Sequence, residues 1–188
     1  MAKILPALER NIIKYRSMQI LIFSFYIEDF KITIESTLEN KLIYTHFKDY
    51  QHEKLPSHMG EAMDMLERNG LISKEDRGEY KKLVKYRNQT SHEIELMFFD
   101  LTQDDAADIY KAYKAIKYDY ECIDRIKRLR SRVLSSLSKN LLLCVSMRES
   151  MFGDVEKTFT HEMKKLEARI EKGISQRTAK LTGSGYES

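Results

Sequence analysis

Arg87, Asn88 and His92 stand in the spacing R-N-x-x-x-H, and their side chains suit work on a phosphodiester. An imidazole moves protons near neutral pH. A guanidinium presents a planar fork that matches phosphoryl oxygens and stabilises charge developing on them. Asn88 can hydrogen-bond the phosphate or fix the His92 ring. RNA needs little more than this, because its own 2′-OH can attack the adjacent phosphate without a metal. The bland alternative is a helix end, with the arginine paired to an acid and the histidine capping a carbonyl.

Cations and an aromatic flank the motif. Lys81, Lys82 and Lys85 lie within two helical turns of Arg87, and Tyr86 directly precedes it. A second basic run follows later: Arg125, Lys127, Arg128, Arg130 and Arg132. From these, Lys81, Lys85, Tyr86, Arg125 and Arg128 are the candidate substrate-binding residues. The lysines and arginines would hold RNA phosphates, and Tyr86 could stack on a base. The competing reading makes the basic residues a solvated helix face and Tyr86 a packing residue. A looser group, His46, Asp49, His52, Glu53 and His58, has no metal-ligand spacing. Neither a metal nor a cofactor is expected.

Helices must position these residues. Glycine is scarce, with 7 in the chain, and there are only 2 prolines, Pro6 and Pro56, which favours an all-α fold. Apolar residues recur at helical spacing from about Leu5 to Tyr50, with a possible break at Ile32-Thr33-Ile34. Ser57 can cap the next helix, which carries Met59, Met63 and Leu66 inward and stops at Gly70. Ser73 and Asp76 resemble a capping box that opens the motif helix. Past Asp104 and Asp105 the apolar pattern continues to Met151. Unbroken, that helix would be roughly 70 Å long, unless the serines from Ser135 onward interrupt it. Gly153 is read as its end. A narrow-faced helix with Phe159, Met163, Leu166 and Ile170 follows.

The domain reading is a helical bundle over 1–152, an accessory amphipathic helix over 153–181 and a disordered tail over 182–188. At 188 residues the chain can bury one substantial core. Its net charge of +3 neither requires nor excludes nucleic acid. Cys122 and Cys144 are unpaired in pattern, which fits a reducing compartment. The most apolar run, Ile20 to Ile27, is too short to span a bilayer. A cytoplasmic protein with no membrane partner is expected.

With Leu83, Arg87, Asn88, His92 and Glu93 in a helical setting near mid-chain, the segment resembles the HEPN family, whose RNases carry R-x(4-6)-H with a polar residue after the arginine. The resemblance covers about Ser57 to Leu143, and more loosely the N-terminal helices. It implies an up-and-down helical bundle with a long central helix. It also implies a homodimer in which two copies of the motif line one cleft, and a toxin–antitoxin or antiviral setting. Arg87, Asn88 and His92 would be catalytic and RNA the substrate, with DNA spared for want of a 2′-OH. An antitoxin or regulatory protein is a possible partner. Some members of the family continue as H-x-Y, with a tyrosine that a partner enzyme modifies. Here Glu93 and Ile94 follow His92, so that form of control has no acceptor. Two rivals stay open: a non-catalytic helical interaction module, and a nucleic-acid-binding bundle that uses Arg125 to Arg132.

Overall fold

The apolar residues Ile22, Phe23, Tyr26, Ile27, Phe30, Ile34 and Leu38 repeat every three or four positions, and all are buried. They lie on α1 (Ala7–Glu39) of a computed structural model. The helix passes through Ile32-Thr33-Ile34 without a break, with Thr33 and Ile34 packed inside. At 33 residues it is about 50 Å long. The other helices are α2 (Met59–Arg68), α3 (Lys74–His92), α4 (Cys122–Asn140) and α5 (Met147–Gly183). Two short 3-10 turns, Ile94–Met97 and Phe99–Leu101, follow α3. The structure describes residues 5–39, 56–101, 118–140 and 147–183. Among them there is no strand, and the protein is an all-α bundle.

Helix α1 is the central member, in contact with each of the other four helices. Side-chain pairs give the directions. Arg16 and Gln19 meet Tyr120, and Asp29 meets Arg130, so α4 runs parallel to α1. Phe23 meets Tyr86 and Phe30 meets Tyr80, so α3 runs antiparallel. Glu9 meets Arg177 and Phe25 meets Phe152, so α5 is antiparallel as well. Helices α1, α3, α4 and α5 thus alternate in direction, as expected of an up-and-down bundle.

The local signals around α2 and α3 are realised with one shift. His58, not Ser57, caps α2, its imidazole accepting from the Glu61 N–H at 3.2 Å. Ser57 instead donates to the Glu61 carboxylate. Gly70 closes the helix at φ 70°. The Leu71 N–H reaches the Leu66 carbonyl and the Gly70 N–H the Glu67 carbonyl, both at 2.9 Å, which is a Schellman closure. The Ser73–Asp76 capping box forms in both directions.

The second half differs from expectation. The long helix expected over 104–151 is interrupted: 118–121 are not helical, α4 starts only at Cys122, and 147–151 belong to α5, while 102–117 and 141–146 lie outside the described residues. Gly153 does not end a helix; it sits inside α5, which is 37 residues long. The apolar residues on either side explain this. Phe152 packs on Phe25 and Tyr26, and Phe159 and Met163 join the same core. Burial over that span outweighs the weak helix propensity of one glycine. The helix expected over 153–181 is thus the greater part of α5, and the described chain ends as helix at Gly183. No described helix is long and apolar enough to cross a membrane.

Candidate functional site

The motif occupies the last two turns of α3, and its residues divide between two faces. Asn88 and His92 are one turn apart and both exposed. Lys81 and Lys85 are exposed too, and the spacing 81, 85, 88, 92 sets all four on one stripe of the helix. Arg87 is turned aside. Its Nη2 lies 2.9 Å from Oε1 of Glu28 on α1, and its side chain is 28% exposed. The Arg87 Nε is buried with no hydrogen-bond partner. About 140° of helix rotation separates Arg87 from His92. One chain therefore brings Asn88 and His92 together and leaves Arg87 on the flank. Of the bland alternative, the arginine–acid pair is present. The His92 ring makes no hydrogen bond with any described residue.

Hydroxyls close the end of the helix. Thr90 is buried and donates to the carbonyls of Tyr86 and Arg87, and Ser91 donates to the Arg87 carbonyl at 2.8 Å. The Glu93 N–H reaches the Gln89 carbonyl at 2.7 Å. The chain then turns, and buried Leu96 anchors the first 3-10 turn.

Tyr86 is a packing residue with a polar tip. Its ring lies against Phe23 and Tyr118, and its hydroxyl accepts from the Asp119 N–H at 2.9 Å. Burial pushes its ionisation well above the ordinary tyrosine range.

Most of the basic run on α4 is engaged within the bundle. Arg125 lies between Glu79 of α3 and Asp119. Its hydrogen bond to Glu79 draws that carboxyl below its ordinary value. Lys127 pairs with Glu156 of α5 and sits over the Tyr26 ring. Arg130 pairs with buried Asp29, and Arg132 with Asp76. Arg128 is exposed and carries no ion pair with a described residue. The two binding candidates on α4 thus differ: Arg125 links helices, and Arg128 faces solvent.

Sequence reasoning missed Arg16. Its side chain is 3% exposed and binds Asp100 through both terminal nitrogens, at 2.6 and 2.8 Å. It also reaches the Met97 carbonyl and the Tyr120 hydroxyl, between the rings of Tyr118 and Tyr120. Burial disfavours the charge, but Asp100 and Tyr120 outweigh it and hold the guanidinium ionised. Arg16 therefore fixes the turns that follow His92 and joins them to the start of α4. A signal existed. Arg16 is in phase with Gln19, Phe23, Tyr26 and Phe30, all buried, and a charge on a buried stripe requires a partner.

Of the loose histidine–carboxylate group, His58 caps α2. His46, Asp49, His52 and Glu53 lie outside the described residues, as does Cys144. Among the described residues no three metal-ligating side chains gather, and Cys122 is a buried free thiol. No family model, curated protein or solved structure matches this chain.

Proposed function

We propose that this chain is a metal-independent endoribonuclease of HEPN type, acting in toxin–antitoxin or antiviral defence in the cytoplasm. One observation carries the reading: Asn88 and His92 stand side by side at the open end of α3, in line with Lys81 and Lys85. His92 moves the proton of the 2′-OH as it attacks the adjacent phosphate, Asn88 orients the ring or the phosphate, and Arg87 stabilises the phosphoryl oxygens. The products carry a 2′,3′-cyclic phosphate and a 5′-OH. No cofactor takes part.

Arg87 is available for that role at modest cost. Its partner Glu28 is 47% exposed, and such pairs contribute only about 0–1 kcal/mol, so a phosphate can compete for the guanidinium. The 140° offset is met by a homodimer, since a two-fold axis near the ends of α3 sets Arg87 of one protomer toward the other's motif. An antitoxin or regulatory protein would hold this activity in check.

The test is incubation of purified protein with total RNA in EDTA, followed by end-group mapping. Cyclic-phosphate and 5′-OH ends are expected. Intact RNA, or 3′-OH ends, would contradict the assignment.

The Arg87–Glu28 pair also favours a second reading, a non-catalytic interaction module in which Arg87 ties α3 to α1. Under that reading expression is benign, and Arg87→Ala lowers stability without changing growth. Under the first, expression is toxic and Arg87→Ala relieves it.

A further inference from the structure

Helices α3 and α4 enclose a groove of about 440 Å³ lined by Glu75, Gly78, Glu79, Lys82, Arg125, Arg128 and Arg132. Four cations line it with Glu75 and Glu79, and Asp119 and Asp76 hold Arg125 and Arg132. Glu79 is also bound by Arg125 at 2.7 Å. Arg132 is anchored to Asp76 yet is 54% exposed. Lys82 and Arg128 are exposed and carry no ion pair with a described residue. The cations available to an anion are therefore Lys82 and Arg128, with the exposed part of Arg132 beside them.

Gly78 is a second, independent observation. It lies inside α3, where glycine weakens a helix relative to alanine. Packing gives no reason for it: a Cβ built there meets nothing within 4 Å, and its φ is not positive. Open space alone assigns no task, as at Gly153; what distinguishes Gly78 is that it lines the groove, where a bare backbone lets a phosphate approach closely. The space it opens is the lip of the cationic groove.

The third observation is continuity. Gly78, Lys81, Lys85, Asn88 and His92 follow the spacing 3, 4, 3, 4, which sets them along one face of α3. From Gly78 to His92 the helix rises about 21 Å. A chain seated in the groove has a direct route along the two lysines to the imidazole.

We propose that this groove is an anchoring site for a phosphodiester strand. Phosphates of single-stranded RNA rest on Lys82, Arg128 and Arg132 at Gly78, and the strand continues over Lys81 and Lys85 to His92. The proposal deepens the ribonuclease reading and rests on it for the direction of the strand. It assigns Lys82, Arg132 and Gly78 to substrate binding, and it limits Arg125 to shaping the wall through Glu79.

The probe is a fluorescent 2′-O-methyl RNA 12-mer, which binds without being cut, titrated by anisotropy across a NaCl series. The double variant Lys82→Gln, Arg128→Gln is expected to weaken binding at least tenfold at low salt. Its log K against log salt slope should flatten by about 1.4, at about 0.7 per lost phosphate contact. Gly78→Leu is expected to weaken binding about tenfold while the thermal midpoint stays level or rises, because the side chain enters open space on a helix. Unchanged affinity and salt slope in both variants, with wild-type melting, would overturn the proposal. Absence of binding by the wild type would overturn it as well. AMP is the control: displacement of the strand only at millimolar AMP supports a strand site, and displacement at the strand's own affinity contradicts it. Because the probe cannot be cleaved, the result stands apart from the activity of His92. Tight binding with no cleavage of ordinary RNA would retain the anchor and remove the ribonuclease.

Discussion

A single guanidinium, that of Arg16, holds together the turns next to His92. Removing it leaves Asp100, Tyr120 and the Met97 carbonyl without their donor. Breaking a buried pair costs about 3–5 kcal/mol, and Asp100 recovers part of its hydration because it is 42% exposed. Arg16→Met is therefore expected to lower unfolding free energy by about 2–4 kcal/mol in urea titration. A loss within about 0.5 kcal/mol, the size of an ordinary surface substitution, would show that the network contributes little. The motif residues should behave differently. Asn88 and His92 are exposed, so alanine at either is expected to leave the urea midpoint unchanged. Arg87 falls between these cases, with one half-buried ion pair to lose. The motif itself was legible because its residue types announce chemistry. Arg16 was not, because identifying it requires knowing which face of α1 is buried all round.

At the scale of elements, helix starts and stops were readable wherever they depend on local hydrogen bonds. The Ser73–Asp76 box and the Gly70 closure involve residues only a few positions apart, so sequence contains the whole interaction. Helix continuity through Gly153 was not readable, because it depends on Phe25 and Tyr26 more than a hundred residues away. This yields a stability prediction. Gly153 lies in the helix interior with open space around a Cβ, so Gly153→Ala is expected to stabilise the protein by about 0.5–1 kcal/mol. Thermal melting would register it. A destabilised variant would mean that the glycine has a conformational task that α5 does not display. The basic run on α4 also divides only in three dimensions. Its partners Glu79, Asp76, Asp29 and Glu156 come from three other helices, and nothing in the run itself marks Arg128 as the member without an ion pair to a described residue.

At the scale of the molecule, the all-α class follows from sparse glycine and long apolar periodicity, whereas the up-and-down order is implied only by the HEPN resemblance. The identity of the central helix follows from neither. Among the described helices the N-terminal one takes that place, in contact with the other four. Ion pairs then tie the outer helices to one another and to α1, and they predict acid sensitivity. Its hydrogen bond from Arg125 depresses Glu79. Burial opposes the charge of Glu156, but Lys127 and Tyr26 depress it overall. Each folded value lies below the ordinary 4.5. A depressed carboxyl stabilises the fold above its unfolded value and loses that contribution as pH falls through the folded one. The urea midpoint should accordingly hold from pH 7 to about pH 5 and fall below about pH 4.5. A midpoint unchanged at pH 3 would contradict the coupling.

The central claim is that His92 moves a proton in RNA cleavage. It is tested most directly by the single-turnover cleavage rate of a defined RNA in EDTA, measured for the wild type and for His92→Ala at matched urea midpoints. Cleavage by the wild type and a loss of at least 100-fold in the variant are expected, the usual scale for a general acid–base group. Equal rates in the two proteins would contradict it.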